Sequence, residues 1–317
     1  MVHVATQVPP GLSTPSRAKT AVRLSGNGPR VGNAAMPYLL LAPVGLFLCV
    51  FSLFPFVWAL LISLQPAMRG STASITGFTT ANFADVLSDP RTYASIWTTL
   101  LYAVLSTFLC IVFSIATALA IKTVRRGSAV YQTFLLIPLT LAPPVVIILW
   151  RALFAPKTGA VNGVLERFGV SAQGFYESPN QALLVLVAMA VWTNVGFWTL
   201  LFLSALNTIN SEVWEAAAID GAGPLSTFFR ITLPLLKRTV LLAGVVLMTA
   251  GLVVFIPAQL LTQGGPADAT NFLMYMAAQD VLRYGQPGSA NAIVVLILLL
   301  IALVAAIQFR LLRSDDA

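Results

Sequence analysis

Charge is scarce in this chain. Of its 317 residues only 9% are Asp, Glu, Lys or Arg, against 58% hydrophobic. An ordinary soluble domain carries about 25% charged residues. A chain so poor in charge cannot cover a water-facing surface, so much of it must face lipid. Histidine is almost missing: His3 is the only one, which excludes multi-histidine metal sites and nucleophile triads built on a histidine base. The two cysteines, Cys49 and Cys110, each lie in an apolar run. They set up no disulfide framework and read as small lipid- or core-facing residues. There is no GxxxxGK[ST] loop, the element whose backbone amides and lysine cradle nucleotide phosphates. The net charge of +7 does not point to nucleic acid. The basic residues sit in short loops and one tail without interleaved aromatics, a pattern of membrane topology.

What the chain does have is long apolar runs. Six of them, at about 37–64, 96–121, 130–154, 180–205, 240–261 and 290–309, approach or exceed the roughly 20 residues a membrane-crossing helix needs. In lipid the backbone must satisfy its own hydrogen bonds, and runs this continuous do so as helices. An all-α membrane protein with six spans is expected. The first run is too long for the core of a signal peptide, and no small-residue cleavage pattern follows it. Residues 1–36 are rich in Pro, Gly, Ser and basic side chains and read as a disordered tail. Residues 312–317 form a short C-terminal end.

Lys and Arg set the orientation. One set of segments carries Lys122, Arg125, Arg126, Arg230, Lys237, Arg238, Arg310 and Arg313, with four more basic residues in the tail. The alternate loops carry Arg69, Arg91, Lys157, Arg167 and Arg283. The excess places both termini and the 206–239 loop in the cytoplasm. No Asp or Glu falls within the six runs, whereas transporters driven by ion gradients keep acidic groups there. Arg151, near the outer end of the third run beside Trp150, fits a side chain snorkelling to the interface. Contact with an anionic solute is the alternative. Pro43, Pro55, Pro138, Pro143, Pro144 and Pro257 lie inside runs, where each removes a backbone donor and favours a kink.

The 206–239 loop contains the string EAAAIDGAGPLSTFFRITLP at 215–234. Asn210 or Ser211 suits a helix N-cap, with Glu212 and Glu215 toward the positive end. Ala216, Ala217 and Ala218 make a patch without bulk. Asp220 and Gly221 suit the end of that helix, since glycine enters the left-handed region readily. Pro224 suits the start of a second short helix, to about Ile231, and Pro234 ends or bends it. The expected shape is helix, tight glycine turn, helix.

These residues resemble a motif of a known family. Glu215, Ala216, Ala217, Asp220, Gly221, Ala222, Ile231, Leu233 and Pro234 match, in type and spacing, the EAA loop of the inner-membrane permeases of binding-protein-dependent ABC importers, in their carbohydrate and glycerol-3-phosphate branch. Gly159, Asn162 and Leu165 resemble that branch's Gly-x-x-Asn-x-x-Leu segment, and 261–266 (LTQGGP) its Leu-Thr-x-Gly-Gly-Pro loop. The resemblance covers 37–311 and implies a six-helix permease domain of the type I importer fold. It further implies that the EAA loop is a coupling helix seated in a groove of a separate ATPase. Two ATPase subunits, a second homologous permease and an extracytoplasmic substrate-binding protein complete such a machine. ATP and magnesium then belong to the ATPase, and this chain carries no cofactor.

For the solute, a sugar is the first expectation and glycerol-3-phosphate or a glycerophosphodiester the second. Sugars are held by amides, hydroxyls and aromatic faces. Asn194 and Trp198 share a helical face in the fourth run, as do Phe255 and Gln259 in the fifth. Interhelical hydrogen bonding and packing are the plainer roles for the same side chains. A secondary transporter or channel would want charges within the spans, and a membrane enzyme would want a nucleophile with a base. The acid-free runs count against the first, and with His3 the lone histidine they leave little to build the second from.

Overall fold

A computed structural model describes residues 36–66, 77–124 and 126–313. The tail at 1–35, Arg69, Arg125 and the end at 314–317 lie outside the described residues. Those described are helical and irregular, with no strand among them. They fall into two units divided between Leu53 and Phe54.

The first unit holds α1 (Met36–Leu48) and a π-helical turn, Cys49–Leu53. Its apolar side chains are outward-facing: Tyr38, Leu39, Phe47 and Phe51 are all exposed. A helix apolar all round is what a lipid-facing segment requires.

The second unit begins with α2 (Phe54–Ser63), α3 (Ala81–Ser88) and α4 (Pro90–Thr123). Asp89 starts α4 as its N-cap, accepting a hydrogen bond from the Arg91 backbone N–H. The run at 130–154 is not one helix. It is α5 (Ser128–Thr140) and α6 (Pro143–Leu153), bent by 98°. Pro143 disfavours helical geometry at the residue before it, and Ala142 is extended, with φ −62° and ψ 139°. At about 20 Å and 16 Å, neither piece crosses a hydrocarbon layer of about 30 Å alone. Next come α7 (Ala160–Arg167), a short 3-10 turn (Phe175–Glu177) and α8 (Ala182–Asn207). Then follow α9 (Ser211–Ile219), α10 (Pro224–Thr227), a π-helical turn (Phe228–Thr232), α11 (Leu233–Leu235) and α12 (Lys237–Leu252). The fifth run is also interrupted. α12 ends at Leu252, the chain leaves the helix at 253–255, and helical turns resume through Ala258–Thr262 as a π segment. Pro257 sits in that restart, where its missing N–H does no harm. α13 (Leu273–Leu282) and α14 (Pro287–Arg313) complete the unit. Among the described residues, four helical stretches are long and apolar enough to cross a membrane, and up to six if each bent pair is one span.

α4 and α8 pack against each other along their lengths, and α12 packs on α4. Two apolar clusters line that seam. One joins Tyr102 of α4 with Trp150, Leu186, Phe272 and Tyr275. The other joins Cys110, Ile115 and Ile121 of α4 with Trp198, Phe202 and Leu206 of α8 and with Leu236. A third seats α13 between α3 and α14 through Val86, Leu273, Ala277 and Ile293. Small residues let the backbones meet. A Cβ on Gly196 of α8 would lie 1.8 Å from the Leu135 carbonyl oxygen of α5, and one on Gly251 of α12 would lie 2.8 Å from Ala103 Cα of α4. Close contact of this kind is how helices associate where lipid is as apolar as the side chains.

Buried amides fix the connections. Asn82 donates to the Ser63 and Gln65 carbonyls, closing the end of α2. Asn162, 1% exposed, donates to the Pro156 and Gln173 carbonyls and accepts from the Gln173 N–H. It thereby holds the 155–173 connection around itself, which gives the Gly-x-x-Asn-x-x-Leu segment its structural sense. In the 261–266 loop, Thr270 donates to the Gly265 carbonyl and its backbone N–H to the Gly264 carbonyl. The Gly265–Pro266 peptide is cis.

Candidate functional site

The 206–239 segment forms the helix–turn–helix that its sequence predicts. Asn210 caps α9: its Oδ1 accepts from the Glu212 N–H and its Nδ2 donates to the Glu212 carboxylate. The helix ends in a Schellman turn. The Ala222 N–H donates to the Ala217 carbonyl and the Gly221 N–H to the Ala218 carbonyl, while Gly221 takes φ +70°. These are the two bonds that define the motif. Pro224 then opens α10 at its first position. The helical path runs past Ile231 to Leu235, further than the sequence suggests, by widening into the π turn before Pro234. In that turn the Thr232 hydroxyl bonds to the Thr227 carbonyl five residues back. Such a widening relieves the clash a proline makes with the preceding turn. The chain bends by 69° before α12.

The nine motif positions divide into two groups. Glu215, Ala216, Asp220, Gly221 and Pro234 are exposed; Ala217 is buried, and Ala222, Ile231 and Leu233 are half-buried. The alanine patch is therefore split. Ala216 and Ala218 face outward, whereas Ala217 faces in, on the side of α9 where Trp214 packs on the second cluster with Phe228 and Leu233. Three apolar side chains outside the motif share the outer surface: Ile219 at 85%, Leu225 at 75% and Phe229 at 61% exposure. Their signal in the sequence is plain in hindsight, being apolar residues in a polar loop at positions where neither a cap nor a turn needs them.

One further residue escaped sequence reasoning. Lys122, in the last turn of α4, donates from Nζ to the Leu206 carbonyl at 2.9 Å. The same Nζ lies 4.7 Å from the centroid of the Trp214 ring. The Leu206 carbonyl is among the last four of α8, which lack partners within their own helix. No local pattern links residues so far apart in the chain.

The proposed solute contacts occupy different surroundings. Trp198 is 4% exposed and belongs to the second cluster, so in this chain it packs. Asn194 is half-buried and donates to the Ala190 carbonyl of its own helix. Phe255 is half-buried against the first cluster, its ring 6.4 Å from that of Tyr275, and Gln259 is exposed. No group of His, Cys, Asp or Glu suited to a metal ion occurs among the described residues.

A bundle of long apolar helices, with an exposed helix–turn–helix between two of them, is the architecture of an integral membrane protein. Residues 110–314 match the family described as binding-protein-dependent transport system inner membrane components, and the chain belongs to that family. It is accordingly a multi-pass inner-membrane protein and a permease component of such a system. It is 32% identical over 293 residues to the sn-glycerol-3-phosphate transport system permease protein UgpA of Salmonella typhimurium, covering 92% of this chain and 98% of that protein. It is 33% identical over 289 residues to the protein of the same name from Yersinia pestis, covering 90% and 97%. The fold is that of a chain in the crystal structure of a bacterial ABC transporter involved in the import of the acidic polysaccharide alginate. That match has a TM-score of 0.73 at 22% identity, over 86% of this chain and 95% of the other. A second structure of the alginate transporter, in complex with an alginate pentasaccharide-bound periplasmic protein, matches with the same TM-score at 20% identity, over 86% and 92%.

Proposed function

We propose that this chain is one of two permease subunits of an ATP-driven importer, coupled to a separate ATPase through the α9–α10 loop. The observation that carries this reading is the shape of that loop. A Schellman turn at Gly221 holds Ile219, Leu225 and Phe229 out to solvent, in a chain that contains no phosphate-binding loop of its own. The chain crosses the membrane six times, with the bent pair α5–α6 as one crossing, and both termini and the loop lie in the cytoplasm, as the Lys and Arg distribution supports. ATP binding closes the ATPase pair and moves the loop with it, and the bundle changes its open side. A change of state of this kind is driven only by contacts that differ between the two states. A second permease, two ATPase copies and an extracytoplasmic binding protein are the partners, and ATP and magnesium are bound by the ATPase.

The solute is a sugar or a compound of similar hydroxyl chemistry, with Asn194, Phe255 and Gln259 as the polar and aromatic groups available to it. Glycerol-3-phosphate is the second reading, favoured by the names of relatives that match over nine-tenths of the chain. The experiment is reconstitution in vesicles with the two ATPase copies, the second permease and the binding protein. Uptake that needs ATP and is abolished by Leu225→Asp supports the coupling role. Uptake that persists without the ATPase would overturn it. Competition of labelled uptake by sugars against glycerol-3-phosphate separates the two solute readings.

A further inference from the structure

We propose that Lys122 is a positioning residue that ties the coupling helix to α4 and α8. The proposal rests on the coupling role given above for α9 and α10. Lys122 belongs to α4, its Nζ holds the Leu206 carbonyl at the end of α8, and it stands over the face of Trp214 in α9. One cation therefore touches three helices.

Each contact has its own physics. The end of a helix is negatively polarised and leaves carbonyls without N–H partners, so an ammonium there is favoured on both counts. The face of an indole is the most attractive of the aromatic surfaces for a cation. The Trp214 N–H does not anchor the ring, because Nε1 is buried with no hydrogen-bond partner. The ring is held by its face and by packing on the second cluster. Trp214 shares a side of α9 with buried Ala217, three residues on, opposite the surface that exposes Ile219. Force applied to the outer surface of α9 thus passes through Trp214 to Lys122, and from there to α4 and to the end of α8. A flexible side chain that grips a helix end and an aromatic face stays attached while α9 tilts, which suits it to a moving joint.

The test uses the assembled importer and compares Lys122→Met, Lys122→Arg and Trp214 replaced by ring-fluorinated tryptophans. Fluorination drains the ring face of negative charge and barely changes its shape. ATPase retained on the purified permease is measured alongside uptake per ATP hydrolysed. Expected results are full retention in every variant and uptake per ATP reduced roughly two- to fivefold in Lys122→Met, the range a single exposed cation–π contact provides. Lys122→Arg should restore most of the loss, and efficiency should fall in step with the number of fluorines. Wild-type efficiency in Lys122→Met, or indifference to fluorination, overturns the proposal. If Lys122→Met fails to assemble, the fluorination series decides alone, since it leaves every side chain's size in place. Loss of coupling in Leu225→Asp with no effect at Lys122 would leave the coupling role standing and remove Lys122 from it. No effect in either would remove both.

Discussion

Gly221 offers the cleanest quantitative test of the loop. Its φ of +70° lies in the left-handed region, and a Cβ added there meets nothing within 4 Å. Substitution therefore has no steric cost beyond that of the residue's own backbone. For an L-residue the left-handed region costs roughly 1–2 kcal/mol, least for asparagine, whose side chain bonds locally. If the chain escapes that cost by leaving the turn, it gives up the Ala222–Ala217 and Gly221–Ala218 hydrogen bonds, at about 0.5–1.5 kcal/mol each. Either way the turn loses 1–2 kcal/mol or so, a factor of roughly 5–30 in its population. The expected order of ATPase retention and of ATP-driven uptake is glycine, asparagine, alanine, valine, with valine lowest because branching at Cβ makes this region hardest to enter. The readings are the fraction of ATPase that co-purifies and the initial rate of vesicle uptake. Thermal midpoints of the isolated permease should hardly move, since the turn is exposed. Valine performing as well as glycine in both assays would refute the claim that the turn's geometry presents the docking surface.

The remaining predictions concern the bundle and its connections. Gly196→Ala places a methyl group on the Leu135 carbonyl and should lower the thermal midpoint in detergent, at the upper end of the roughly 1–3 kcal/mol that overpacking costs or beyond it; an unchanged midpoint would contradict the backbone contact. Asn162→Ala strands the Pro156 and Gln173 groups it now bonds, at about 1–3 kcal/mol per group left unsatisfied, and should speed proteolysis within 155–173. Asp280 has its acidity weakened by burial, partly offset by the hydroxyl of Ser289 that donates to it. Its folded value lies above the ordinary 3.8, so the folded state binds this proton more tightly than the unfolded one. Its contribution is full below that ordinary value, declines as pH rises through the raised one, and is flat beyond. Asp280→Asn should remove that decline from a plot of thermal midpoint against pH.

The loop was legible because its determinants act locally. Asn210, Gly221 and Pro224 each do their work within a few residues, so their types and spacing dictate cap, turn and restart. Long helices were legible too, since α4, α8 and α14 need only sustained apolarity; α4 and α14 run a few residues past their apolar runs at both ends because polar residues extend a helix into the interface. Besides the contacts of Lys122, three features were not legible. The prolines at 143 and 144 announce a disturbance, but whether it is a mild kink or a 98° bend depends on what packs against both arms. α3, α7 and α13 are shorter than a membrane crossing and carry no signal that hydropathy detects, and α13 owes its burial to contacts with α3 and α14. Trp198 and Asn194 look alike in sequence as polar interruptions of an apolar helix, yet which of them is buried is decided by α4 across the seam.

Where α5 crosses α8 there is no side chain between the two backbones, only Gly196 against a peptide carbonyl. Two rods touching without padding cannot slide past one another, because the next residue along either rod brings a Cβ into the space the glycine leaves empty. α5 must travel with α8 as a single piece. Any swing of α6 relative to the bundle is then confined to the elbow at Leu141 and Ala142, where Pro143 and Pro144 bring no backbone N–H to carry the helical ladder across the bend.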